Sequence, residues 1–308
     1  MKLLVVAKKY NDIYYALSLP EWKTSEQKTL LIVTKKLVLS NYPMQDLFDE
    51  VYCIQPRNGY LGVLQTVMEL RALLPKMRFD TVALSNISLV SNKYILANRQ
   101  CKNAILIEDG YMNYHDFKEP SNISKRLLMR SFGIHQSSVI KKISKTYLLK
   151  PENAEYFFGE KCVLKIDTDL FRSRLNDIPD LQGKKIFVGQ PLYHSYTGNT
   201  ITLAQYNEIV NKIIKELGID YYVPHTMADD GENIDCEKFD IGVYKCTFEV
   251  LASLFDLELY SVSSTILYSS KVVNPNCKSI MVQIPNVKRI PPDNILYKYS
   301  DNVIQFYV

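Results

Sequence analysis

Long apolar runs are missing from this sequence. No stretch approaches the ~20 residues that a bilayer-spanning helix needs. The apolar opening at residues 3–7 runs straight into Lys8 and Lys9, so it is too short for the core of an export signal and precedes charge rather than a cleavage site. These absences lead to the expectation of a cytoplasmic chain. Paired cysteines are missing as well. The six cysteines (Cys53, Cys101, Cys162, Cys236, Cys246 and Cys277) include no Cys-x-x-Cys, which argues against a zinc ribbon or a dithiol redox motif and leaves buried free thiols. Net charge is small, +4 over 308 residues, so composition gives no nucleic-acid footprint. Tyrosine is plentiful, but its 22 copies are spread along the chain and mark no single stacking platform.

What is present is ordinary globular material, 47% hydrophobic and 23% charged, which argues against disorder. A chain of this length exceeds one hydrophobic core and implies two domains of about 150 residues. In the first half, apolar runs at residues 3–7, 30–34, 51–54, 81–84 and 104–107 are rich in Val, Ile and Leu, as expected of strands buried on both faces. Between them residues 62–74 repeat Val63, Val67, Leu70 and Leu74 at helical spacing. The pattern restarts with expected strands at 185–189, 220–223, 239–244, 257–261 and 279–284, and helices at 203–217 and 247–255.

Strand–helix alternation predicts an α/β protein of two doubly wound, Rossmann-like domains, residues 1–155 and 156–308, with a hinge within 150–184 where Pro151, Pro179 and Gly183 punctuate a polar stretch. Open sheets of this kind bind ligands at their carboxyl edges. Two in tandem are expected to place both edges on one central cleft, a geometry of one of the two large glycosyltransferase folds, although a fold by itself names no reaction.

Residues 121–151 contain no acidic side chain, while Lys125, Arg126, Arg130, Lys141, Lys142, Lys145 and Lys150 are interleaved with apolar residues. A solvated helix face is one reading. A surface for anionic headgroups, or for a lipid-linked acceptor, is the other.

Three segments carry chemistry. Ile105–Ile107 leads into Glu108, Asp109 and Gly110: a buried strand ends in two carboxylates and a residue free to turn. One carboxylate can face a cleft as a general base while its neighbour braces the loop; an acidic strand end with a turn is the alternative. Tyr221-Tyr222-Val223-Pro224-His225-Thr226 ends another strand in an imidazole suited to a phosphate oxygen or to proton exchange; a loop-capping histidine is the alternative. His115, His135 and His194 are weaker candidates. His194 follows Gly189, Gln190, Pro191 and Leu192, and His115 lies near Asp109 in sequence. Third, Phe248-Glu249-Val250-Leu251 is followed by Ser263, Ser264 and Thr265. The glutamate can grip two ribose hydroxyls, and hydroxyls at a helix start can hold phosphate or simply cap the helix.

An acid–acid–glycine turn, a later histidine motif, Phe-Glu-Val-Leu, Ser-Ser, and the segment Gly189-Gln190-Pro191-Leu192 together resemble the bacterial sialyltransferases. The likeness is to the lipooligosaccharide and capsule group, glycosyltransferase family 52, and its motifs run along nearly the whole chain. In the family pattern proline directly follows the histidine, whereas here Pro224 precedes His225.

The resemblance implies a GT-B-type enzyme that moves sialic acid, with inversion and without metal, from CMP-sialic acid to a terminal sugar, commonly galactose. The acceptor would be an oligosaccharide or a lipid-linked glycan. Asp109 or Glu108 would be the base in an acceptor-side first domain. In a donor-side second domain His225 would protonate or stabilise the departing phosphate, Glu249 would hold the ribose, and Ser263 and Ser264 would hold the phosphate. A peripheral contact with anionic membrane and no nucleic-acid partner go with this reading. No motif encodes an oligomeric state, and a homodimer stays open. The alternatives are a GT-B transferase with another nucleotide-sugar donor, and a non-catalytic nucleotide- or glycan-binding protein.

Overall fold

Strands whose two faces are both apolar must be covered on both sides, and that requirement organises each half of the chain. The computed structural model describes residues 1–34, 42–57, 59–114, 123–175, 177–225 and 227–307. His115, Thr226 and residues 121–122 of the basic stretch fall outside them. The chain divides into two compact units, Met1–Asp167 and Thr168–Val308.

The first unit holds a seven-stranded sheet of order β3-β2-β1-β4-β5-β6-β7. Its strands are β1 (Lys2–Ala7), β2 (Gln27–Val33), β3 (Glu50–Ile54), β4 (Thr81–Leu84), β5 (Asn103–Ile107), β6 (Ile143–Leu148) and β7 (Glu160–Val163). All pairings are parallel. Successive side chains of β1 point to opposite faces. Leu4 and Val6 join Val67, Leu70, Val90 and Ile95 in one core. On the other face the helix Tyr10–Leu17 packs on β1, β4 and β5.

The second unit holds a six-stranded parallel sheet of order β10-β9-β8-β11-β12-β13. These are β8 (Lys185–Val188), β9 (Tyr221–Val223), β10 (Glu237–Lys238), β11 (Glu258–Ser261), β12 (Lys278–Gln283) and β13 (Asn302–Gln305). That is the 3-2-1-4-5-6 order of a dinucleotide-binding Rossmann sheet. Its core joins Phe187, Tyr222 and Tyr260 to Tyr206, Val210 and Ile213 of the helix Leu203–Leu217. That helix is delimited by its own sequence. Thr202 and Gln205 form a reciprocal capping box at one end, and Gly218, at φ 62°, closes the other.

Three departures from the expected elements have local causes. Residues 239–244 are not a strand: the Asp240 carboxylate accepts bonds from Gly242 N (2.7 Å) and Val243 N and starts a short helix, Ile241–Tyr244. The strands β6, β7 and β13 escaped the sequence pattern because β6 mixes polar with apolar residues and the other two lie at sheet edges, largely exposed. Because β7 pairs with β6, residues 156–167 belong to the first unit rather than to the second.

In the basic stretch, two lysines serve the fold. The Lys142 ammonium donates to the Leu96 and Asn98 carbonyls at a helix end, and Lys145 pairs with Glu21 at 3.0 Å. Arg126, Arg130 and Lys141 are exposed. Among the described residues no helix is long and apolar enough to cross a membrane.

Candidate functional site

In an open parallel sheet the crevice lies where strand order reverses, at the carboxyl edge. In the first unit that point lies between β1 and β4. The Asp109 side chain, arriving from the end of β5, is held there from both strands. Its Oδ1 accepts from Lys9 Nζ at 2.8 Å, just beyond β1, and its Oδ2 accepts from Asn86 Nδ2 at 2.8 Å, just beyond β4. The Asn86 amide is itself oriented, because its Oδ1 accepts from Ser88 N and Ser88 Oγ, which turns Nδ2 toward Asp109. Lys9 is placed in turn by Asp12, a buried carboxylate whose Oδ2 accepts from the backbone of Lys8 (2.7 Å) and Lys9 (3.1 Å).

The two adjacent acids have different environments. Glu108 is 1% exposed, and its Oε2 accepts from Tyr114 Oη at 2.6 Å and Leu149 N at 2.9 Å. It is a brace. Asp109 keeps 14% of its side chain open to solvent, and its own N–H donates to Asn113 Oδ1. Gly110 sits at φ +69°, a left-handed turn that side-chain-bearing residues disfavour, and leads into the 3-10 turn Gly110–Tyr114.

In the second unit the reversal lies between β8 and β11, whose ends are tied by a bond from Ser261 Oγ to Val188 O (2.8 Å). Gly189, Gln190 and Pro191 leave the sheet at β8, and Ser263, Ser264 and Thr265 leave it at β11. Gly189 is dictated by packing: a Cβ there would strike the Tyr222 hydroxyl and lie 2.8 Å from its Cζ. Gln190 N donates to Tyr206 Oη (3.1 Å). Tyr206 and Tyr222 are fully buried, and Tyr222 and Tyr193 both donate to Glu232, at 2.9 Å each.

This network underlies the histidine loop. His225 is half-buried; its Nδ1 accepts from Met227 N at 3.1 Å, which leaves the ring proton on Nε2 as a donor. Burial, with a smaller contribution from His194, holds the His225 imidazole below its ordinary value of 6.5, against the pull of Glu232. His194 shares the loop: its Nε2 lies 3.1 Å from Met227 O and 3.8 Å from Asp229, and its ring stacks on Tyr196. His135 lies in the first unit as the exposed cap residue of a five-residue helix.

Glu249 is buried in the first turn of the helix Phe248–Leu254, and its Oε1 accepts from Ser269 Oγ at 2.8 Å. Ser269 belongs to the helix Ile266–Val273, whose start is formed by Ser263–Thr265. Ser264 Oγ accepts from Ile266 N (3.3 Å), so the capping alternative holds for that hydroxyl in the free chain, while Thr265 Oγ1 takes no cap bond. Within this unit, then, the structure brings the Glu249 helix against the helix that follows the serine turn.

Sequence reasoning missed Lys9, Asn86, Tyr222, Glu232 and Ser269. Lys9 was visible only as the charge that ends an apolar run, although a charged residue directly after a buried first strand stands at a sheet's carboxyl edge. The others are set by contacts distant in sequence. Among the described residues no cluster of three or more His, Cys, Asp or Glu side chains is spaced to hold a metal ion.

Two solved structures share the fold. A candidate UDP-N-acetylglucosamine 2-epimerase of Listeria monocytogenes is 8% identical with a TM-score of 0.51, covering 91% of this chain and 78% of its own. MnaA of S. aureus, solved with UDP, is 12% identical with a TM-score of 0.51, covering 91% and 79%. A glycosyl transferase family 9 protein of Veillonella parvula aligns over 99% of this chain and 86% of its own, at 10% identity and a TM-score of 0.43. No curated protein matches the sequence. The model of glycosyltransferase family 52 matches residues 48–229, which takes in the acidic turn, the Gly189 segment and His225. That match spans more than half of a chain folded as two Rossmann-like sheets, and the chain therefore belongs to glycosyltransferase family 52.

Proposed function

We propose that this glycosyltransferase moves sialic acid from CMP-sialic acid to a hydroxyl of a terminal sugar, galactose foremost, on a cell-surface oligosaccharide, with inversion and without a metal. The observation that carries the reading is the partly open Asp109 carboxylate, gripped at both oxygens beside a buried Glu108 bonded to Tyr114 and Leu149. That asymmetry favours Asp109 as the base.

In the proposed step the acceptor oxygen attacks the anomeric carbon as its proton passes to Asp109. The bond from that carbon to the phosphate oxygen breaks, and CMP leaves with the electron pair. Sialic acid carries a carboxylate next to the reacting carbon, which stabilises the oxocarbenium-like centre internally, so the main demand falls on the leaving phosphate. His225 Nε2–H, the hydroxyls of Ser263 and Ser264, and the start of the helix Ile266–Val273 would meet it as preorganised donors. Glu249 would take the ribose hydroxyls through the oxygen that Ser269 leaves open. An acceptor carried on lipid would bring exposed Arg126, Arg130 and Lys141 to anionic headgroups at the inner face of the membrane.

The test is to offer CMP-sialic acid with a galactose-ended acceptor and assay the sialylated product. Transfer supports the proposal. Binding of CMP without turnover would instead favour a non-catalytic nucleotide-binding protein. Thermal stabilisation by a different nucleotide alone would favour another donor; a ligand at a hundredfold excess over Kd stabilises by about 2.7 kcal/mol.

A further inference from the structure

A cavity of about 460 Å³ lies wholly within residues of the first unit, a size typical of small-molecule sites, roughly 300–1,000 Å³. It opens at the carboxyl edge of β1, β2 and β3, just past Ala7, Val33 and Ile54. Its wall is apolar where Val33, Val63 and Leu89 contribute. Its charged lining, among the described residues, is entirely cationic: Lys8 and Arg57, with no carboxylate.

Two helix starts add to that sign. Gly59, the first residue of the 15-residue helix Gly59–Leu73, lines the cavity, and no acidic side chain lies in that helix's first turn. Val90 and Ser91, the first residues of the helix Val90–Ala97, line it too, and that helix has no side-chain cap. The positive ends of both helix dipoles thus serve one space.

Lys8 supplies the independent sign that something is to be bound. It is half-buried, and its ammonium takes part in no hydrogen bond or ion pair among the described residues. Burial pushes its basicity down, against the through-space pull of Asp12 and Asp109. A half-buried ammonium with no bonded carboxylate among the described residues gains from an arriving anion. Arg57 is exposed and is held from outside by Gln65 (3.0 Å) and, at 3.6 Å, by Glu69, a solvent-screened pair that an anion can displace. The base lies within electrostatic reach of the cavity, since the Asp109 charge acts through space on Lys8.

We propose that this cavity seats a carboxylate or phosphate carried by the acceptor glycan, next to the sugar whose hydroxyl meets Asp109. The inference rests on the acceptor reading above and names the acceptor's chemical class: an anionic glycan rather than a neutral one.

The experiment compares kcat/KM for methyl lactoside with that for lactosides bearing a phosphate or a carboxylate on the glucose, using the wild type, Arg57→Gln and Lys8→Gln. Binding of the phospholactoside is measured in parallel by isothermal titration. Losing one charge-assisted contact costs roughly ten- to hundredfold. The wild type is therefore expected to prefer an anionic lactoside by about tenfold or more, and each variant to lose most of that preference. The preferred anion names the source, phosphate or carboxylate. Equal kcat/KM for all three acceptors in the wild type overturns the proposal even where transfer is fast, and so does a preference undiminished in Arg57→Gln. Should Lys8→Gln fail to fold, exposed Arg57 still decides. Arg57-dependent binding of the phospholactoside with no sialyl transfer to any acceptor keeps the anion site and removes the transfer reading.

Discussion

Lys9 and Asp109 meet at 2.8 Å although 100 positions separate them in sequence. The ammonium stands just past β1 and the carboxylate just past β5, so the pair spans β4 and lies over the point where strand order reverses. With Asn86 on the other oxygen, the carboxylate is fixed on two sides and keeps lone pairs for a third partner.

Asp109→Asn keeps the shape of that carboxylate and removes its basicity. Transfer is expected to fall by about 10²–10⁴, the usual worth of a positioned acid–base group, while CMP binding by calorimetry is retained. Glu108→Gln is expected instead to lower the thermal midpoint, since it weakens two buried charge-assisted bonds worth roughly 1.5–3 kcal/mol each. Full activity in Asp109→Asn with loss in Glu108→Gln would move the base by one residue.

His225→Ala is expected to reduce turnover by about 10²–10³. The imidazole also leaves a mark on stability. Its folded value lies below the ordinary 6.5, so the unfolded chain binds more protons in between. The stability it contributes is complete above 6.5 and is lost as pH falls through the lower folded value. Denaturant midpoints should therefore rise with pH across that window in the wild type and rise less in His225→Gln. Equal slopes would show that His225 is not desolvated.

Gly189→Ala drives a methyl group into the buried Tyr222 ring. Overpacking of this kind costs about 1–3 kcal/mol, which thermal denaturation would read. Because the nearest atom is the tyrosine hydroxyl, the pair Gly189→Ala with Tyr222→Phe should recover part of the loss, although it gives up the bond to Glu232. A neutral Gly189→Ala would mean that the loop after β8 yields freely.

Glu249→Gln and Ser264→Ala should separate ribose from phosphate. The first is expected to weaken CMP binding roughly in proportion to one charged hydrogen bond, about tenfold. The second should strongly lower turnover while the fold is kept. Circular dichroism beside calorimetry checks both; unchanged CMP affinity in Glu249→Gln removes it from the nucleotide site.

Chelation provides a further check. If the protein donors alone meet the leaving phosphate, transfer measured in excess EDTA should match that in buffer. A loss restored by a divalent cation would assign part of that charge to metal.

The chain's own order of residues determined the buried strands at the centre of both sheets, the helix Leu203–Leu217 with its caps, and the turns after β5, β9 and β11, because burial on both faces and capping are written in runs of a few residues. The exposed edge strands β7 and β13 and the helix at Ile241–Tyr244 were not legible, since exposed strands carry no apolar signature and a single capping aspartate overrode β-like composition. Only the tertiary structure decided which acid of the pair is a brace, why Gly189 is glycine, and that Lys9, Asn86 and Asp109 share one spot. Those outcomes depend on strand order, and strand order brings together residues far apart in sequence.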